Sequence, residues 1–416
     1  MNVKRLIVVA VILSCFLFPA WGHGTELSGM FYGQTALLEN QERAGHLGEN
    51  WSSPQAMYHV SGEAKLQEKF LENHRVEFNF FAKYFYSNLL QRPYQVAALL
   101  NHPSVLVARE YVDLTKNKRH KSSEEEYSFT TLYYQFDSQK IKAEVGRFII
   151  NYGLGEIFNP INPFNYPQAL SPVPAFSQGN DGGYCQYYMN DGTQFHLYML
   201  ASKNEGRRQD KINDRPGVLS FWGRLNFEVG DNLGFSLLGG RDLERTKVGA
   251  ELRLNTKDAL FFAQVFHQTA RGLYSSDVFS KVSTANDQSY SDFLLGFDRQ
   301  LNDKLHLRFE AGLQERMKSS ALGFVPKEDR FLPQEYLLAL ITKYQMHSLI
   351  EAKAIIDYDP KSEFTYLVGK LNFSVMKDLE GNVYMMHPLT AKDKGNAITT
   401  QKLLATEAGV SLLYYY

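Results

Sequence analysis

Long runs of strict two-residue alternation constrain this chain more than any other feature. In His74–Ser87 the even positions hold Val76, Phe78, Phe80, Ala82, Tyr84 and Tyr86, and the odd ones include Arg75, Glu77, Asn79 and Lys83. Residues 245–254 set Thr246, Val248, Ala250, Leu252 and Leu254 against Arg245, Lys247, Gly249, Glu251 and Arg253. Residues 304–314 set Leu305, Leu307, Phe309, Ala311 and Leu313 against Lys304, His306, Arg308, Glu310 and Gln314. Successive side chains of a strand point to opposite faces, so each segment reads as a strand with one apolar and one wet face. No stretch with helical periodicity is extensive enough to cover a sheet of this size.

Length separates two ways of using such strands. A half-exposed sheet in a soluble protein alternates in the same manner, but ordinary globular strands run to about 5–6 residues. These run to about 10–13, and about 9–11 tilted residues cross a bilayer. Aromatic residues make up 14% of the chain, with 25 Tyr and 29 Phe, and they crowd the strand ends as in a membrane-interface girdle. At the amino end, Lys4 and Arg5 precede an apolar run from Leu6 to Phe18, and small residues precede a cut before His23. Residues 1–22 therefore read as a signal peptide, because about 13 apolar residues fall short of the roughly 20 of a spanning helix. Beyond it no apolar run approaches that length, so a membrane would be crossed by strands.

Charge and cysteine usage narrow the class further. Loss of Lys4 and Arg5 from 44 basic residues leaves 42 against 45 acidic ones, a net of −3, which predicts no nucleic-acid partner. Only Cys185 of the two cysteines remains after cleavage, so packing and a hydrogen-bonded sheet must hold an exported chain without disulfides.

Strands are expected near 27–38, 57–70, 75–87, 127–136, 140–150, 182–189, 193–202, 217–228, 232–241, 245–254, 258–268, 289–299, 303–314, 335–345, 347–358, 363–375, 382–388 and 405–416. Alternate connections are tight and carry Asn, Asp and Gly, among them Glu72-Asn73, Asn190-Asp191-Gly192, Gly230-Asp231 and Met346. The intervening ones include long loops near 88–126, 151–181, 269–288, 315–334 and 389–404. This is the layout of an all-β, transmembrane, antiparallel up-and-down barrel of about eighteen strands, with short periplasmic turns and long extracellular loops. Residues 104–114 would make the count odd if they formed a wall strand, so they are assigned to the 88–126 loop as a helix or local hairpin. Sixteen strands stay open.

A barrel of that size leaves an aqueous lumen. Its inward face would carry Arg75, Lys83, Arg224, Lys247, Arg253, Arg308, Glu310 and Lys353 as lining residues, a set too costly to bury without water or pairing. The cationic excess suggests small polar or anionic solutes; mutual salt-bridge ladders without selectivity are the other reading.

One stretch breaks the pattern. In "GRFIINYGLGEIFNPINPFN", residues 146–165, a strand runs into Gly153 and Gly155, and Asn159-Pro160 and Asn162-Pro163 then forbid regular pairing. Such backbone is tolerated in a membrane only inside the lumen or beyond the bilayer. Asn151, Tyr152, Gly153, Asn159, Pro160, Asn162 and Pro163 are thus candidates for an infolded constriction loop; an external loop stiffened by prolines is the alternative. This stretch resembles the Gly-Arg-x-x-Ile-x-Trp-Gly…Asn-Pro-x-Asp-x-Phe-Asn segment of porin-like outer-membrane proteins of Gram-negative bacteria. The likeness covers about twenty residues, through Gly146, Arg147, Ile150, Gly153, Asn159, Pro160 and the Pro-Phe-Asn ending. Tyr152 replaces the tryptophan and Asn162 stands near the usual aspartate. The resemblance implies a channel-like barrel in the cell outer membrane and names no substrate.

Enzyme signatures are missing: no Gly-x-Ser-x-Gly, no His-Glu-x-x-His and no phosphate-cradling glycine loop. No catalytic residue, metal or cofactor is expected. The alternatives to a channel are a structural or adhesive barrel and a barrel-embedded lipid hydrolase. Expected partners are outer-membrane lipid and lipopolysaccharide, the barrel assembly machinery and small polar solutes, with a homo-oligomer left open. The ending "AGVSLLYYY" alternates too, placing Ala408, Val410, Leu412, Tyr414 and Tyr416 on a lipid face. It resembles the carboxy-terminal assembly signal of outer-membrane barrels, with Tyr414 and Tyr416 as its aromatic positions.

Overall fold

Alternation becomes a wall. The computed structural model describes residues 25–39, 55–87, 115–119, 123–162, 164, 179–189, 192–202, 218–242, 245–269, 289–315, 336–361, 363–390 and 406–416. Their nineteen strands are β1 Thr25–Glu39, β2 Gln55–Leu71, β3 His74–Ser87, β4 Thr115–Arg119, β5 Ser123–Asp137, β6 Ile141–Phe148, β7 Asn180–Tyr188, β8 Gln194–Ser202, β9 Val218–Val229, β10 Leu233–Asp242, β11 Arg245–Asn255, β12 Ala259–Gln268, β13 Tyr290–Gln300, β14 Leu305–Gln314, β15 Tyr336–His347, β16 Ile350–Asp359, β17 Phe364–Met376, β18 Leu379–Thr390 and β19 Thr406–Tyr415.

Every strand but β4 pairs antiparallel with two neighbours in the ring, and β19 closes on β1. Setting β4 aside leaves a closed barrel of 18 strands. Closure removes the unpaired edge that no lipid could satisfy. At the seam Met30 lies opposite Tyr415, and Gly29 and Tyr416 exchange two backbone hydrogen bonds of 3.1 Å. The Tyr416 ring stacks on Phe31 with centroids 5.5 Å apart. The terminal tyrosines therefore belong to the wall.

The two faces invert the soluble pattern. Leu197, Met199, Phe221, Leu237, Phe293 and Leu295 are exposed on the outside, while Glu77, Glu144, Glu251, Asp292, Glu310 and Asp357 are buried within. An apolar exterior around a polar interior is the sign of a barrel in lipid. Among the described residues no helix is long and apolar enough to cross a membrane.

β4 explains the odd strand. The lower part of β5 pairs with β6 through Leu132–Asp137, but its outer part, Glu124 to Ser128, pairs with β4 instead. β6 has left the wall by then, and the local hairpin covers the edge it leaves. Residues 104–114, the expected signal peptide at residues 1–22, Pro163 and most of the long loops lie outside the described residues. One expected turn is displaced. The turn placed at Met346 falls at residues 348–349, because a register shift between Gln345 and His347 bulges Met346 out of the pairing.

Candidate functional site

The segment after β6 lies inside the barrel, and its construction starts at the strand end. Gly146 has φ of 127°, where an L side chain is strained, and an added Cβ would run into the Leu132 carbonyl. Arg147 then ties three strands together. Its Nε and Nη2 donate to the two carboxylate oxygens of Asp181 on β7 at 2.7 and 2.9 Å, and Nη1 donates to the Phe129 carbonyl on β5 at 3.2 Å. A buried, bidentate Arg–carboxylate fork is among the stronger polar contacts available. It fixes the point where the chain turns inward.

Inside, the segment caps itself. Gly153 has φ of 89° and packs against the Asn159 side chain, leaving no room for a Cβ. Asn159 Nδ2 donates to the Tyr152 carbonyl at 2.8 Å, Asn162 Nδ2 to Asn151 Oδ1 at 3.0 Å, and the Phe164 amide to Asn162 Oδ1 at 3.3 Å. The two Asn-Pro steps thus satisfy backbone that has no strand to pair with. Pro160 is buried with them.

Its two flanks rest on an aromatic shelf. Phe148, Ile150, Tyr152, Ile161 and Phe164 form one apolar cluster with Tyr198, Leu200, Trp222, Leu238 and Phe266 from β8–β10 and β12. Phe164 meets Trp222 edge-on with centroids 4.9 Å apart, the geometry aromatic pairs prefer. The Arg224 guanidinium stands 4.4 Å over the Tyr152 ring, and Lys247 Nζ lies 5.8 Å from the Trp222 ring centre.

Its middle is latched by charge. Glu310, fully buried on β14, accepts the amides of Glu156, Ile157 and Phe158 at 2.6, 3.0 and 3.3 Å. Arg308 donates to Glu310 at 2.8 Å, to Asp298 on β13 at 3.0 Å and to the Leu154 carbonyl. Glu156 reaches Lys353 Nζ at 2.7 Å and Lys343 Nζ at 3.8 Å. Burial pushes the Glu156 carboxyl up, but Lys353, Lys343 and Arg308 together outweigh this and hold it below the usual carboxylate range.

Of the lining residues expected from sequence, the structure brings Arg224 and Lys247 to the shelf and Arg308, Glu310 and Lys353 to the latch. Arg253 pairs with Glu228 at 2.5 Å, Arg75 donates to Gln135 at 2.5 Å, and Lys83 is buried on the inner face of β3. The Arg253 and Arg75 contacts are to other wall strands. Glu156, Lys343, Asp298 and the Arg147–Asp181 fork were not picked out by sequence reasoning. Glu156 had a signal: it is the only charged residue in 148–165.

No protein-family model and no curated protein matches the chain. Solved structures do. OccK8 (OprE) of Pseudomonas aeruginosa has 8% identity over 94% of this chain and 97% of its own, with a TM-score of 0.54. OccAB4 of Acinetobacter baumannii has 9% identity over 96% and 100%, with a TM-score of 0.54. A BenF-like porin of Pseudomonas fluorescens Pf-5 has 8% identity over 94% and 98%, again with a TM-score of 0.54. At such identities the likeness is one of fold: this chain is a closed, 18-stranded antiparallel barrel similar to those three along nearly its whole length.

Proposed function

We propose that the protein is an outer-membrane channel of a Gram-negative bacterium, passing small polar solutes, anions among them, by passive diffusion through its lumen. The observation that carries this reading is the inward segment of residues 149–162 and Phe164, which packs on one apolar cluster inside an interior otherwise rich in buried charged and amide side chains. A purely structural barrel has no need of a segment braced between two opposite kinds of wall contact. The fold-level neighbours include a BenF-like porin and an outer membrane protein, opdK of Pseudomonas aeruginosa, which supports the same assignment. Within it, Asn151, Tyr152, Gly153, Asn159, Pro160, Asn162 and Pro163 form the constriction, Arg224, Lys247 and Lys353 face the solute path, and the buried Arg308 and Glu310 hold the segment to the wall. The chain is not an enzyme in this reading. Its partners are outer-membrane lipid, lipopolysaccharide and the solute.

Purified protein in planar bilayers tests the proposal. Discrete conductance steps are expected, and their absence would overturn it in favour of a structural or adhesive barrel. Removal of residues 159–176 is expected to raise the step size. Tyr414 and Tyr416 serve assembly: deleting Tyr416 removes the seam pairing with Gly29 and should lower the yield of folded barrel at unchanged conductance per channel.

A further inference from the structure

Beside the latch, the wall carries a second pattern. Lys343 on β15 lies directly opposite Lys353 on β16, and Lys353 lies directly opposite Lys370 on β17. All three are half-buried, and their outward neighbours in sequence, Tyr344, Ala354 and Leu371, are exposed. The lysines therefore form one transverse row on the lumen face. Like charges at directly paired positions, with Cβ atoms about 4.5–5.5 Å apart, repel. Such a row persists only where something offsets it.

Among the described residues, Glu156 is the one carboxylate within 4.0 Å of the row. Its Oε1 lies 2.7 Å from Lys353 Nζ and its Oε2 3.8 Å from Lys343 Nζ. Lys370 has no carboxylate at that range, and Glu351 and Glu380 act on it from farther away. Arg308 also reaches Glu156, at 3.9 Å, but Glu310 at 2.8 Å and Asp298 at 3.0 Å engage it more closely. One carboxylate thus directly contacts two of the three lysines, and it reaches them from the inward segment rather than from a strand.

We propose that Glu156 sets the charge selectivity of the channel: it is a tethered counter-anion seated in a three-lysine row, restraining the anion preference that the row alone would impose. The inference rests on the channel reading and adds a named residue to it. A passing carboxylate or phosphate meets Lys370 and competes with Glu156 for Lys353, while a passing cation meets a row partly neutralised in advance. Focused charge at a narrow point outweighs the same charge spread over a wide wall.

Reversal potentials across a potassium chloride gradient in planar bilayers test this. Glu156→Gln is expected to raise the chloride-over-potassium permeability ratio about two- to threefold. Glu156→Asp, which keeps the charge, is expected to restore most of the wild-type ratio. The double variant Lys343→Gln with Lys353→Gln leaves Glu156 in place and is expected to move the ratio the opposite way, so the test survives a poorly folding Gln variant. A Glu156→Gln channel that conducts more but keeps the wild-type reversal potential would assign Glu156 to bracing alone and overturn the inference. Wild-type protein without any conductance would instead overturn the channel reading beneath it.

Discussion

The inward segment is held at its flanks and at its middle by different physics. On the shelf, Phe164 and Tyr152 are buried against Trp222, Tyr198 and Leu200, contacts that need no particular protonation state and no particular salt. At the latch, Glu310, Arg308, Glu156 and Lys353 are charged, and much of their mutual attraction is offset by the loss of water. The shelf gives grip; the latch gives registry, because three consecutive amides fit one carboxylate in a single position. The lesson is that a polar lumen can still hold a segment firmly, provided one part of its wall is made apolar and another part is fully paired.

The comparison breaks most sharply at Glu310. Glu310→Ala would orphan Arg308 and three amides at once, a loss of about 3–5 kcal/mol of docking by analogy with other buried pairs deprived of one partner. The barrel should still form, since the wall pairing of β14 with β13 and β15 is backbone bonding. Hydrogen exchange at the amides of residues 156–158 should lose its protection while the strand amides keep theirs. Unchanged exchange at those three amides would mean that the shelf alone fixes the segment.

Phe164→Ala attacks the flanks instead. Truncating a buried aromatic typically costs about 3 kcal/mol or more, and open space in the lumen would admit water and soften the loss. Conductance noise should rise as the segment loosens. The two anchors then part on ionic strength. Raising salt from about 0.1 to 1 M shrinks the screening length from roughly 10 to 3 Å. The increase caused by Phe164→Ala should be nearly the same at both salts, whereas a Lys353→Gln defect should fade as salt rises. Equal salt dependence of the two variants would erase the distinction between grip and latch.

What was legible in the sequence follows the same division. β11 reads cleanly because its inner face, with Lys247, Glu251 and Arg253, alternates with Val248, Ala250 and Leu252 outside. β15 does not. Its Leu337, Ala339 and Ile341 face inward and are fully buried while Leu338 and Leu340 face out, so both faces are apolar and the period vanishes. A methyl placed on Gly312 of β14 would lie 3.1 Å from Phe158 and 3.5 Å from Leu337, which shows the segment lying over that wall. Lost alternation therefore marks the dry, covered patch of a wet lumen, and Lys343 at its edge went unassigned for that reason. Glu156 was missed for a different one: its partner Lys353 lies 197 residues away, a distance no local period spans. The count of eighteen agrees with the ring, in which β4, Thr115–Arg119, pairs only with β5, while residues 104–114 lie outside the described residues.

Acidity gives the smallest and most specific way to sharpen the contrast. Lys353, Lys343, Arg308, Glu310 and, behind Arg308, Asp298 face the Glu156 carboxylate from β13–β16, and the group is held below its ordinary range. A depressed carboxyl contributes stability that is present above its ordinary value, and that contribution is lost as pH falls through the depressed one. The Glu156 contact should therefore be constant from pH 7 to about 5 and fail only below the ordinary glutamate value of about 4.3. Because this carboxylate is partly hydrated, its release should cost the segment only roughly 0.5–1 kcal/mol. Conductance of wild type and Glu156→Gln, compared along the same pH series, should converge below that point and differ above it. A difference that already disappears between pH 7 and about 5 would mean that the carboxyl is not held below its ordinary range, and the latch would then have to be driven by the Glu310 contact alone.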